Sequence, residues 1–158
     1  MIDLWGQLKQ IRHVSVSAQS ARPNGYHGHG IGIVDCYMAS PNITIFNESG
    51  KWHQPRYNQL ARVTSFRNIF KWVQIENERI ELSHLRYGET NPVFLFSLIP
   101  CALNQWVCEA PHYCNKDQYH GALAIDDQTI RLNWRITGPS KDETLNYCYT
   151  QYPLSVTP

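Results

Sequence analysis

The sequence is short of charge: Asp, Glu, Lys and Arg make up 17% of its 158 residues, against about a quarter in an ordinary soluble domain. Net charge is +1, and no basic stripe stands out, so the electrostatic footprint of a nucleic-acid binder is missing. No apolar run approaches the roughly 20 residues of a membrane span. MIDLWGQLKQ, the first ten residues, lacks the basic segment and apolar stretch of a secretory signal. Cys-x-x-Cys spacing is absent among the five cysteines, Cys36, Cys101, Cys108, Cys114 and Cys148. They read as mostly buried free thiols in a reducing cytoplasm, with one Cys101–Cys108 bridge as the alternative.

What is present favours sheet. Aromatics reach 12%, with five Trp and nine Tyr, and 42% of residues are hydrophobic, enough for a real core. The length reads as one domain over 1–158. Asp3 followed by LWGQLKQI predicts a short capped helix over about 3–11, with Leu4, Leu8 and Ile11 on one face. After that the helical period disappears. Strand-like runs broken by turn signals continue from about residue 12 to 152, about nine or ten strands in all. GYHGHGIGIVDCYM is glycine-bearing, as bent barrel strands are. ITIFNESGKWHQ reads as a strand, an ESG turn and the start of another strand. The segment ENE reads as a turn, and the tail 153–158 as frayed. A meander of this many strands must close or split, because open edges invite aggregation. A closed barrel is the first reading and a β-sandwich the second.

The segment APHYCNKDQYHG, 110–121, concentrates polar chemistry. His112 and Cys114 are two apart and share a strand face. Asn115 and Lys116 then form a turn or bulge. Asp117, Tyr119 and Gly121 share a face continued by Leu123 and Ile125, which puts the Asp117–Tyr119 side toward the interior. A carboxylate, a phenol and an imidazole at one end of an apolar barrel make a pocket. The structural alternative has Asp117 capping the turn and His112 bonded to a backbone carbonyl. His112, Cys114 and Asp117 are legitimate metal-ligand types, but their spacing fits no known clamp, and no metal or other cofactor is expected. A Cys114–His112 nucleophile pair is disfavoured, because residues two apart do not usually reach each other in line.

Gly138–Pro139 ends a strand, and Lys141 then either pairs locally on the surface or folds over the barrel mouth toward an anion or Asp117. Trp134 and Arg135 alternate, so only one of them faces inward. Arg67 shares a face with Val63, Ser65 and Ile69, and is either an inward fork for a carboxylate or phosphate or an outward arginine over an aromatic ring. His27 and His29 share a face and read as surface residues. His53 and His120 read as solvated, and His84, in phase with Ile80 and Leu82, as a satisfied core histidine.

Taken together these residues resemble the domain-of-unknown-function family 6314. The likeness runs through Leu4 and Trp5, Gly28 to Gly32, and Phe46, Glu48 and Gly50 as an aromatic-x-Glu-x-Gly turn. It continues through Arg67, then His112, Cys114, Asp117, Tyr119 and Gly121 without a gap. Trp134, Gly138, Pro139, Lys141, Asp142 and a following tyrosine complete it. One departure is Phe96–Ser97, where the resemblance suggests Phe-His. The family is similar in layout to calycins, the lipocalin and fatty-acid-binding-type barrels, and implies no known reaction.

The expected fold is therefore all-β: an antiparallel calycin-like barrel of about ten strands, with the helix plugging or flanking one end. The expected function is binding a polar-headed or anionic, partly apolar small molecule inside it. Arg67, His112, Asp117, Tyr119 and Lys141, with Trp134, would hold that ligand. An enzyme (isomerase, lyase or hydrolase) using His112, Asp117 and Tyr119 as acid–base groups is one alternative, and a structural or partner-binding barrel with a filled interior is another. The expected partner is a small molecule, with a homodimer left open and neither nucleic acid nor membrane, in the cytoplasm.

Overall fold

The computed structural model describes residues 2–76 and 78–154. The tail beyond Leu154 and the centre of the expected 76–78 turn, at Asn77, lie outside the described residues. The chain is a helix α1 (Leu4–Leu8) followed by strands β1 (His13–Ser20), β2 (Gly28–Ser40), β3 (Ile43–Arg56), β4 (Gln59–Gln74), β5 (Ile80–His84), β6 (Val93–Ala102), β7 (Gln105–Cys108), β8 (His112–Cys114), β9 (Asp117–Ile125), β10 (Thr129–Thr137) and β11 (Asp142–Thr150). Neighbours in sequence pair antiparallel from β1 to β7, β11 pairs with β1, and β9 pairs with β10 to close the ring. Short β7 and β8 pair with different halves of one edge of β9, Gln105–Val107 with 122–124 and His112–Cys114 with 117–119. They share one position, so the all-β barrel closes at ten.

Alternation decides which way each strand faces. In β10, Ile130, Leu132, Trp134 and Ile136 are buried while Arg131, Asn133 and Arg135 are exposed. In β9, Gly121, Leu123 and Ile125 take the inward phase. Hairpins turn where asparagine tolerates a left-handed backbone: Asn58, Asn104 and Asn115 have φ of 52°, 57° and 57°.

The two ends of the barrel differ. At one end α1 is a plug: Trp5 Nε1 donates to Pro41 O at 3.2 Å, Gln7 Nε2 to Asp126 O at 2.8 Å, and the Ile2 N–H to Asn104 Oδ1 at 3.0 Å. Those acceptors sit in or beside three turns of the same end. Beneath the plug, Phe46, Trp72, Tyr149, Leu82 and Leu98 fill the interior at 0% exposure. The opposite end, framed by the β1–β2, β5–β6 and β10–β11 turns, is open.

Three local expectations are corrected. The helix stops at Leu8, not near residue 11, and the Asp3 side chain makes no cap bond, its backbone carbonyl accepting from Gln7 instead. Leu4, Leu8 and Ile11 are still buried together. ESG is no turn: β3 runs straight through it, pairing Glu48 with Val34 and with Asn68. A Cβ on Gly50 would stand 2.1 Å from Ile31 O, so the glycine serves close approach of two strands, not chain reversal. All five cysteines are free, but only Cys108 is buried; Cys101 is exposed and the other three are half-buried.

Candidate functional site

The open end holds a cavity of about 260 Å³. Its β10–β11 side is Trp134, Ile136, Leu145 and Tyr147; its β4–β5 side brings Phe66, Asn68, Phe70, His84 and, just past β5, Arg86. Tyr119 of β9, the pair Tyr26 and Trp52, Val16 of β1 and Leu95 of β6 complete the lining. The β4–β5 and β10–β11 pairs lie on opposite sides of a ten-position ring, so the wall that carries the polar Asn68, His84 and Arg86 faces the wall that carries Trp134 and Tyr147.

The aromatic surfaces are tightly ordered. Trp134 stacks on Tyr147 at 5.4 Å with 27° between planes, and Tyr26 on Trp52 at 4.9 Å and 12°. Phe70 meets Trp134 edge-on at 5.8 Å and His84 at 5.0 Å, joining the two walls at the cup's base.

On the polar wall, burial lowers the His84 pKa and the Arg86 charge lowers it further, so its imidazole is neutral at pH 7. His84 Nδ1 and Trp134 Nε1 are buried and have no hydrogen-bond partner among the described residues. Four other such atoms lie elsewhere: on Gln7 of the helix, on Thr44 and Trp72 near the plugged end, and on Ser97. Arg86 is exposed, makes no ion pair among the described residues, and lies 5.5 Å over the Tyr87 ring.

Behind Asn68 lies Glu48, at 0% exposure. Tyr149 OH donates to its Oε1 at 2.7 Å, and Asn68 Nδ2 to its Oε2 at 3.5 Å. Burial pushes the Glu48 carboxyl up to about 7, against the pull of these two hydrogen bonds. Burial first, and the Glu48 charge second, raise the Tyr147 and Tyr149 phenols well above their usual value.

The residues singled out from sequence divide. Tyr119 and Trp134 line the cup, and the choice between Trp134 and Arg135 resolves inward for Trp134, with Arg135 outside on Asp142 at 2.8 Å. Asp117 and Lys141 meet at 2.9 Å beyond the cup's edge, joining β9 to the end of the β10–β11 turn. This contact raises the Lys141 pKa. A Cβ on Gly138 would stand 2.1 Å from Asp117 Oδ1, so that glycine makes room for the carboxylate. His112 pairs with Tyr119 across the β8–β9 hairpin, lies 5.1 Å edge-on to Phe94, and is outside the cup lining.

Arg67 does not join them. It is exposed on the outer phase of β4, donating from Nε to Asn47 Oδ1 at 3.2 Å. Phe66, Phe70 and Trp72 take the inner phase, because three aromatics bury more apolar surface than Val63 and Ile69, and a guanidinium inside would need a carboxylate of its own. Ser97 pairs with Glu81 on the phase opposite buried Phe96, away from the cup.

Sequence reasoning missed Asn68 and Arg86, missed Glu48 as a core group, and took His84 for a satisfied histidine. The signal for Glu48 was Thr44–Phe46–Glu48 alternation, masked by the turn-like Glu-Ser-Gly.

Among the described residues, no group of three or more His, Cys, Asp or Glu gathers at metal-holding distance. No described helix is long and apolar enough to cross a membrane. A larger hollow of about 370 Å³ lies over β10, β11, β1 and β2, rimmed by Ser15, Ile31 and Asn133 of the outer phase. Neither of the unpartnered cup nitrogens borders it. His29 and His53 stack at 5.0 Å on the outer wall.

Fold and cup together define a closed ten-position antiparallel barrel with one plugged and one open end. A family model described as a family of unknown function (DUF6314) matches residues 9–151, and the chain belongs to that family. No curated protein and no solved structure matches the chain.

Proposed function

We infer that the protein binds a small, compact molecule with an apolar body and a polar or anionic head in the open end of its barrel. One observation carries this reading: two buried nitrogens without partners, on His84 and Trp134, belong to side chains lining one cavity of about 260 Å³. An unsatisfied buried polar atom costs about 1–3 kcal/mol, and of the six such atoms among the described residues these two are the ones whose side chains line the cup. A ligand offering acceptors offsets that cost. Compactness follows from the filled half of the barrel, which leaves no room for a long chain. Tyr119 and Trp134 contact the ligand, while Asp117 and Lys141 fix the rim beside it. Five free thiols favour a cytoplasmic setting.

Native mass spectrometry of undenatured protein tests this. Wild type should carry an adduct that Leu145→Trp, which fills the cup, has lost while its circular dichroism is unchanged. An adduct retained equally by the variant would place the ligand elsewhere and defeat the reading.

Neutral His84 and Tyr119, lining one cavity from different strands, favour a second reading, an isomerase or lyase in the same cup. His84 would take a proton from the bound molecule and Tyr119 would return one. Deuterium from solvent would then enter the recovered ligand with wild type and not with His84→Gln. Label entering equally with both would rule this out.

A further inference from the structure

We propose that the ligand is an aromatic carboxylate of one or two fused rings, its acid group held by Arg86 and His84 and its ring laid against Trp134. This rests on the reading of the cup as a ligand site.

Size sets the first limit. An apolar cavity of about 150 Å³ takes a benzene ring, so about 260 Å³ takes a bicyclic ring or one ring with a short side chain. Nothing longer enters, because Phe70 at the base and Phe46 and Trp72 behind it are at most 1% exposed. Chain-like acids, which need a deep bore, are excluded by the same packing.

Shape sets the second. Two stacked aromatic pairs, Trp134 with Tyr147 and Tyr26 with Trp52, give the cup flat walls. A flat ring meets such walls face-on or edge-on along its whole surface, whereas a bulky aliphatic body touches them at points.

Hydrogen-bond sign sets the third. The Trp134 indole N–H and the Arg86 guanidinium are donors only. His84 Nδ1 in its neutral ring donates in one tautomer. None of the three has a hydrogen-bond acceptor or carboxylate partner among the described residues. A ligand bearing acceptors completes them, and a carboxylate matches the guanidinium fork in two parallel bonds. An amine would set donor against donor and cation beside cation. Arg86 follows β5 by two residues, and the Leu85 N–H bonds Ile69 O at 2.8 Å, so Arg86 stands level with Asn68 on the polar wall. The acid group is therefore at the side of the cup and the ring crosses toward β10.

The full-length protein is titrated calorimetrically with 2-naphthoate, its neutral counterpart 2-naphthamide, and the chain acid dodecanoate. We expect 2-naphthoate to bind at least about tenfold more tightly than either, as one charge-assisted bidentate contact implies. Arg86→Gln, a change at an exposed turn, should erase the preference for naphthoate over naphthamide by weakening naphthoate at least about tenfold more than naphthamide. Leu145→Trp should abolish binding of both. If 2-naphthamide or dodecanoate binds wild type as tightly as 2-naphthoate, and Leu145→Trp blocks it, the aromatic-acid assignment is wrong and the cup remains a ligand site. If no probe binds, or if binding survives Leu145→Trp, the assignment and the cup reading fall together.

Discussion

Glu48 shows how one residue can set a pH profile. Its ordinary pKa is near 4.5, and burial raises it to about 7 in the folded protein. Between those values the unfolded chain has released the proton and the folded chain still holds it, so stability falls as pH rises through that window. Below it the carboxyl is protonated in both states and nothing is lost. Above about pH 7 the full loss is in place, on the order of 3 kcal/mol. Glu48→Gln removes the ionisable group and keeps an acceptor for Tyr149. Urea unfolding should find the variant near wild type at pH 4.5 and more stable by up to about 3 kcal/mol at pH 8. Equal pH slopes for the two proteins would show that Glu48 does not carry this proton. At the same scale, His84 and Trp134 had no visible signature in sequence, because an unpartnered nitrogen exists only once its neighbours are in place.

Between elements, the Asp117–Lys141 pair ties β9 to the end of the β10–β11 turn. Lys141 is 40% exposed and Asp117 19%, so solvent screens the contact and its removal should cost only about 0.5–1 kcal/mol. Gly138→Ala drives a methyl into the Asp117 carboxylate and breaks the same contact by steric means. Lys141→Met should therefore cost distinctly less in the Gly138→Ala background than in wild type, a coupling that thermal unfolding of the double-mutant cycle reads directly. Full additivity would mean that the glycine does not serve the pair. Much at this scale was legible beforehand: strand spacing, turns, and the shared face of His112, Cys114, Asp117 and Tyr119 follow from two-residue alternation. Lys141 reaching Asp117 was one of two open readings, chosen only by the fold. Arg67 was ambiguous because apolar residues occupy both phases of β4, and it fell outside once Phe66, Phe70 and Trp72 took the interior.

The whole molecule is polarised along its axis, with a plug and packed aromatics in one half and a polar-walled cup in the other. Closure at ten strands could be argued from strand count and the hazard of open edges. The division into two halves could not, since it depends on which inward side chains meet across the barrel. Polarity predicts a separation of roles. Leu8→Ala, on the buried face of the plug at 0% exposure, should cost about 2–5 kcal/mol by denaturant unfolding while ligand affinity stays at wild type. Leu145→Trp should lose binding with a smaller loss of stability. A Leu8→Ala protein that binds no better than Leu145→Trp would show that the halves are not independent.

The five tryptophans report on both halves at once. Trp52 and Trp134 line the cup, whereas Trp5 and Trp106 bond backbone carbonyls near the plug and Trp72 is packed beneath it. The most direct measurement of the central claim is the indole region of a ¹H–¹⁵N spectrum, assigned by single Trp→Phe substitutions. It is recorded with and without the tightest-binding of 2-naphthoate, 2-naphthamide and dodecanoate. A ligand in the cup should move the Trp134 and Trp52 indole signals, that of Trp134 most as its N–H gains an acceptor, and leave those of Trp5, Trp72 and Trp106 in place. Movement confined to the plugged-end tryptophans, or no indole movement under saturating probe, would contradict the account.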